Sequence, residues 1–340
     1  MSSNVGRRSA VNMLQAYRPA RSRSCFRGAA SRFGKKRRVS EPTRIGFIGT
    51  GAIGEPMARS LLRAGFSVSA SAHRRREALE RLMREGITEA KDPLELAERS
   101  DLVITCVPDA PDVREALFGK RGAGTARAKR PELLFIDMST IAPLATREIA
   151  EGLRENGHRF MDAPVSGGPA RAAAGTLTIM AGAEQRDFER AAPVLRALGT
   201  PHHVGGVGLG ETVKLVNQLI IASVMVANAE ALTFAQRAGA DIEVVRNVLA
   251  SATASNYLLD QWLPKTWFAG TFEGGFAMDL LRKDLTAALD TARALKVPLP
   301  ATALAYQLYT LRSAQGDGAL DYSAVVKFYD DCLATKDSRR

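Results

Sequence analysis

A chain of 340 residues with 46% hydrophobic content has the length for about two domains and an ordinary globular core. Its formal net charge is +11, but residues 1–43 hold eleven Lys/Arg against one acid, Glu41, and the other 297 residues carry only +1. Basicity therefore belongs to a leader, which excludes a broad nucleic-acid-binding face on the folded part.

In chain order, residues 1–43 are rich in Arg and Ser and lack apolar periodicity, so they read as a disordered basic extension. The alternative reading of such an acid-poor leader is a mitochondrial transit peptide. The first goes with a cytoplasmic protein, the second with the mitochondrial matrix.

Folded structure is predicted from residue 44. An apolar run at 45–48 reads as a buried strand, and Gly49, Gly51 and Gly54 follow it in G-x-G-x-x-G spacing. Met57, Ala58, Leu61 and Leu62 then mark one face of a helix. A strand, glycine turn and helix of this kind can hold a dinucleotide: the glycines permit the turn and the approach of the pyrophosphate, and the helix start offers free N–H groups. Strands are predicted at 66–70, 102–107, 133–138 and 159–163, with helices at 74–85, 111–118, 143–156 and 184–198 between and after them. Residues 176–180 alternate as an edge strand would, and 201–204 supplies one last short strand. This order predicts an α/β fold in which a doubly wound parallel Rossmann sheet spans 44–206.

From 207 to 335 the pattern is helical only, so an all-α C-terminal domain is expected. Residues 209–238 form one long helix, apolar on most faces and therefore expected to be buried, which joins the two parts. Further helices are predicted at 241–250, 257–263, 278–295, 301–313 and 320–333. No run reaches the roughly 18 consecutive apolar residues expected of a membrane span. Cys25, Cys106 and Cys332 stand far apart without C-x-x-C spacing, so neither a disulfide framework nor a metal site is expected.

Three stretches could carry chemistry. At the end of the second strand stand His73, Arg74, Arg75 and Arg76, with no acid between Glu55 and Glu77. An NAD site places a carboxylate there for the ribose 2′-hydroxyl, and arginines instead suit a 2′-phosphate, which favours NADP over NAD. Ser166-Gly167-Gly168 follows a strand and offers hydroxyl and bare N–H groups to a carboxylate, or serves simply as a turn. Lys214, Asn217 and Gln218 share one side of the long helix at i, i+3 and i+4 spacing. Either Lys214 snorkels to solvent, or the three line a polar cavity. His202 and His203, in the last short strand, read as structural.

The stretches GFIGTGAIGEPMARSLLRAG, DAPVSGG with GTLTIMAG, GLGETVKLVNQ, and Arg282-Lys283-Asp284-Leu285 together resemble the four signatures of the β-hydroxyacid dehydrogenase family, in order, over about residues 44–335. That family includes 3-hydroxyisobutyrate, tartronate semialdehyde and threonate dehydrogenases. The resemblance implies hydride transfer between NAD(P) and a small 3-hydroxy acid or semialdehyde, with Lys214 as catalytic acid/base. It implies substrate contacts from Ser139, Ser166, Gly167, Gly168, Asn217 and Gln218. Cofactor contacts would come from Gly49, Gly51, Ala52, Ile53, Gly54, His73, Arg74, Arg75, Val107, Pro108, Thr140 and Lys283. A homodimer or homotetramer formed through the helical domain is implied as well, with no membrane or nucleic-acid partner. The chain departs from the usual pattern at Ile53, at Ala72-His73, and at Pro169-Ala170-Arg171 after Ser-Gly-Gly. Two alternatives are an imine-reductase-like enzyme of the same architecture, against which Lys214 counts, and a non-catalytic dinucleotide sensor whose basic tail binds nucleic acid.

Overall fold

Alternation of apolar residues decides how the sheet is covered. The computed structural model describes residues 43–72, 76–126, 132–273 and 275–337; the basic leader, His73, Arg74 and Arg75 lie outside them. Six strands, β1 (Arg44–Ile48), β2 (Ser67–Ser71), β3 (Thr88–Glu89), β4 (Leu102–Thr105), β5 (Leu134–Asp137) and β6 (Arg159–Asp162), run parallel in the order β3-β2-β1-β4-β5-β6. Phe47 of β1 stands in register with Ile104 of β4, and Ile104 with Ile136 of β5. These side chains share one face, where they pack on Met57 and Leu61 of α1 (Gly54–Arg63) and Leu79 and Leu82 of α2 (Glu77–Arg84). Val103 and Phe135, one residue out of phase, face the other way. There they meet Leu96 of α3 (Pro93–Glu98), Val113 and Leu117 of α4 (Ala110–Phe118), and Ile149 and Leu153 of α5 (Pro143–Glu155). Each such fully buried side chain contributes about 1.5–3 kcal/mol. Strand order reverses between β1 and β4, and a crevice opens at that switch point beyond the strands' carboxyl ends.

Past β6 the sheet departs from the parallel expectation. The chain continues through β7 (Val165–Ser166), α6 (Gly168–Ala174), β8 (Leu177–Gly182), α7 (Gln185–Leu198) and β9 (Gly199–Gly205). β8 pairs antiparallel with both β6 and β7 and parallel with β9, so the strand expected at the edge lies inside the sheet and β9 takes the edge. β7 continues in the direction of β6, and residues 167–176, with the short helix α6, turn the chain back so that β8 runs antiparallel to both. Within β9, His203 Nε2 donates to Ala183 O at 2.8 Å and its ring stacks on Phe188, a structural role. The segments β3, α3 and α6 have no counterpart in the sequence reading. A two-residue strand shows no period, and α3 depends on its cap, Asp92, whose side chain accepts from Glu95 N at 2.9 Å.

The helical part begins with α8 (Leu209–Arg237) and continues through α9 (Ile242–Leu249), α10 (Met278–Leu295), α11 (Pro300–Arg312) and α12 (Lys327–Asp337). Its core joins Met225, Ala229 and Leu232 of α8 to Leu281 and Leu285 of α10 and Tyr309 of α11. The helix expected over 257–263 is a single wide turn, Leu258–Trp262 followed by Leu263–Lys265, and that over 320–333 is split by a tight turn at Tyr322–Val326. By length and composition alone α8 could cross a membrane, yet it carries buried Glu211, Lys214 and Gln218. It is not buried all round, contrary to expectation: Val213, Val216 and Ile220 form an outward stripe, with Ile220 57% exposed.

Candidate active site at the sheet switch point

Two glycines close the turn after β1. A Cβ at Gly49 would stand 2.1 Å from Cys106 O, and one at Gly54 would stand 1.8 Å from Gly49 O. Gly51 is different, since a Cβ there would meet nothing within 4 Å. Its backbone is open to the crevice and to the N-terminus of α1, which is the cradle a pyrophosphate requires. The residues present thus fit a dinucleotide.

The position of α8 is fixed by one carboxylate. Asp162, fully buried at the end of β6, accepts from Gly208 N at 2.7 Å and from Glu211 N at 2.8 Å, capping the helix from another strand. Burial, outweighing those two backbone bonds, pushes the Asp162 carboxyl up to about 6. Burial, and next the negative Asp137 and Asp162, pushes the Glu211 carboxyl well above its usual range. Close approach of α8 to the sheet needs glycine at 210, where a Cβ would be 2.3 Å from Met180 O. One turn further on, Lys214 is 7% exposed and its Nζ donates to Val165 O at 2.9 Å. Burial lowers its pKa, Asp284 and Glu211 pull it back up, and Lys283 lowers it further. It does not snorkel.

Lys214 faces a cavity of about 410 Å³ between the sheet's carboxyl edge and the helical part. The glycine turn lines one side of it, through Gly51, Ala52, Ile53 and Gly54, together with Val107 and Pro108. Ser166, Gly167 and Gly168 line the other, and φ values of 137° and 68° place the two glycines in the left-handed region that other residues avoid. A network ties the halves together. Lys283 Nζ donates to Thr140 O and pairs with Asp284 at 3.0 Å. Asp284 in turn accepts from Gln218 Nε2 at 2.7 Å, and Gln218 Oε1 accepts from Asn217 Nδ2 at 2.9 Å.

Thus Ser139, Thr140, Asn217, Gln218 and Lys283 also line the cavity, while Gly49 lies beneath it, and His73, Arg74 and Arg75 fall outside the described residues. Two of the expected substrate contacts are already engaged. Ser139 Oγ donates to the buried Asp137 at 2.6 Å and accepts from Val107 N at 3.0 Å, while Gln218 is held by Asp284. Arg76, at the start of α2, pairs with Glu89 at 2.9 Å instead of standing open to a ligand. An aromatic wall of Tyr257, Trp262, Phe276 and Tyr322, outside the stretches that the sequence singles out, also lines the cavity. Its organiser is Asp321, fully buried, which accepts from Trp262 Nε1 at 3.0 Å, Phe276 N at 2.9 Å and Ser323 N at 3.0 Å. These residues are spread over more than sixty positions with no local period, so only their shared partner reveals them.

Two family models match the chain: the NAD-binding domain of 6-phosphogluconate dehydrogenase over residues 44–210, and the NAD-binding domain of NADP-dependent 3-hydroxyisobutyrate dehydrogenase over 208–329. A 2-(hydroxymethyl)glutarate dehydrogenase from Eubacterium barkeri is 37% identical over 86% of this chain and 96% of its own. The chain belongs to the β-hydroxyacid dehydrogenase family. A 2-hydroxy-3-oxopropionate reductase of Escherichia coli is 39% identical over 84% of this chain and 96% of its own. Among solved structures, a Mycobacterium tuberculosis 3-hydroxyisobutyrate dehydrogenase with L-serine superposes with a TM-score of 0.78, at 30% identity, covering 85% of this chain and 99% of that one. As a β-hydroxyacid dehydrogenase this is an NAD(P)-dependent enzyme acting on a small hydroxy acid.

Proposed function

We propose that the enzyme moves a hydride between NADP and a small 3-hydroxy acid or its semialdehyde, with Lys214 as the general acid/base. One observation carries this reading: the Lys214 amine is buried in the cavity, between the open glycine turn and the Ser166–Gly168 cradle. The dinucleotide, when bound, supplies the hydride donor or acceptor. The substrate carboxylate rests on the Ser166, Gly167 and Gly168 amides and hydroxyl, so that its carbinol oxygen meets Lys214 Nζ; such alignment is worth several kcal/mol. In oxidation the neutral amine takes the hydroxyl proton, and burial favours that form by lowering the pKa. In reduction the ammonium returns it. Asn217 keeps its Oδ1 for the reacting group, while Gln218, bonded to Asp284 and Asn217, and Ser139, bonded to Asp137 and Val107, act as positioning residues.

The preference for NADP rests on the missing acid after β2 and on Arg74 and Arg75. The exposed stripe Val213, Val216, Ile220 on α8 supports a homodimer or larger homo-oligomer through the helical part. The test is an initial-rate screen of 3-hydroxyisobutyrate, threonate and glycerate with NAD and NADP, and of tartronate semialdehyde with NADH and NADPH, alongside light scattering for mass. Turnover of at least one acid with a higher kcat/KM on the NADP side is expected; failure of all four would reject the substrate class.

A further inference from the structure

The substrate end of the cavity holds a cation that the chemistry above leaves unused. Arg171, in α6, lines the cavity beside Ser166–Gly168. Its Nε donates to Thr176 O at 2.9 Å, which anchors the guanidinium by one nitrogen; among the described residues neither terminal nitrogen makes a hydrogen bond. Among the described residues, no carboxylate pairs with it. Its stem folds across the cradle: a Cβ at Gly167 would lie 2.8 Å from both Cβ and Cδ of Arg171 and 3.2 Å from its Nε. Glycine at 167 is therefore needed for Arg171 to lie where it does, as well as for the backbone turn.

The other two cations lining the cavity are committed. Lys283 is paired with Asp284 at 3.0 Å, and Lys214 serves the proton transfer. Arg171 also stands apart from the glycine turn. The neighbouring Ala172 O accepts from Ser60 Oγ at 3.0 Å, and Ser60 lies nearly two helical turns, roughly 9 Å, beyond Gly54 along α1.

We propose that Arg171 is a specificity-determining residue that binds a second anionic group of the substrate. The substrate class it selects is a 3-hydroxy acid whose C2 substituent ends in a carboxylate or comparable acid. One carboxylate lies on the Ser166–Gly168 cradle and the other meets the parallel N–H donors of the Arg171 fork, a geometry suited to a planar acid. This deepens the reading of Lys214 and the cradle given above and rests on it.

Two 2-substituted 3-hydroxypropionates make a matched pair. In 3-hydroxyisobutyrate the substituent is a methyl group, and in 2-(hydroxymethyl)glutarate it is a carboxyethyl group, while the reacting hydroxymethyl and first carboxylate are the same. kcat/KM is measured for both acids in the wild-type chain, Arg171→Ala and Arg171→Lys. Arg171→Ala should lose roughly tenfold or more on the dicarboxylate, mainly through KM, and less than about twofold on the monocarboxylate; Arg171→Lys should recover part of the loss. Equal losses on the two acids, or none on the dicarboxylate, would overturn the proposal. A second readout needs no turnover: with NADP present, glutarate should raise the melting temperature of the wild-type chain more than butyrate does, and Arg171→Ala should erase that difference. An intact glutarate difference without turnover of either acid would reject the hydroxy-acid reading and uphold Arg171. Turnover of both acids with no difference between wild type and variants would reject Arg171 alone.

Discussion

Gly210→Ala probes the junction that places the Lys214 amine. The added Cβ would stand 2.3 Å from Met180 O and 2.8 Å from both Asp162 O and Asp162 Oδ2, whereas ordinary contact begins at 3.4 Å. None of these atoms is the end of a flexible chain: two are backbone carbonyls, and the third is the carboxylate that caps α8. The first turn of α8 must therefore retreat by about 1 Å, and Lys214, one turn along a rigid helix, retreats with it. A misplacement of that size costs on the order of 10²-fold in rate, and the strain itself about 1–3 kcal/mol in stability. kcat/KM, cofactor affinity from quenching of protein fluorescence, and the melting temperature are measured on one preparation. The expected outcome is a roughly hundredfold loss of kcat/KM with cofactor affinity changed by less than about threefold, because the glycine turn is remote from Gly210. A kcat/KM within about threefold of wild type would refute the claim that this contact sets the position of Lys214.

Two further expectations follow from the site. Lys214 titrates below its ordinary value because of burial, so oxidation should rise with pH through an inflection below the free-lysine value of about 10.4, and reduction should fall through the same interval. Pre-steady-state rates across pH read both limbs, and inflections at or above the free-lysine value in both directions would contradict the buried-amine mechanism. Asp321→Ala removes the acceptor of three donors, from Trp262, Phe276 and Ser323. It should cost about 3 kcal/mol or more in urea unfolding and raise KM by loosening the aromatic wall; a cost under about 1 kcal/mol would show that water replaces the carboxylate.

Legibility in the sequence followed locality. β1, β4 and β5 announce themselves because their alternate residues sort between two helical layers, and the glycine turn because Gly49 and Gly54 meet a steric demand at the next strand or within the turn while Gly51 leaves the backbone open. Lys214 was legible as a lysine beginning an apolar helix. What it does there depends on Val165 O, 49 residues away, and on the capping Asp162, 49 residues from Glu211. The same distance hid the engagement of Gln218, since its partner Asp284 is 66 residues on, and nothing in the helix pattern separates a ligand-binding amide from one already bonded. β3, α3 and α6 are too short to show a period in the sequence. Alternation over 176–180 reports which residues of β8 are buried but not which strands flank it, so it does not reveal that β9 takes the edge.

The most direct measurement is turnover by Lys214→Met, which keeps the length and apolar stem of the side chain and removes only the amine. With the best substrate of the screen, kcat should fall by roughly 10²–10⁴-fold, added methylamine should restore part of it, and cofactor affinity should stay within a few-fold of wild type. Near-wild-type turnover by Lys214→Met would contradict the assignment of Lys214 as the acid/base.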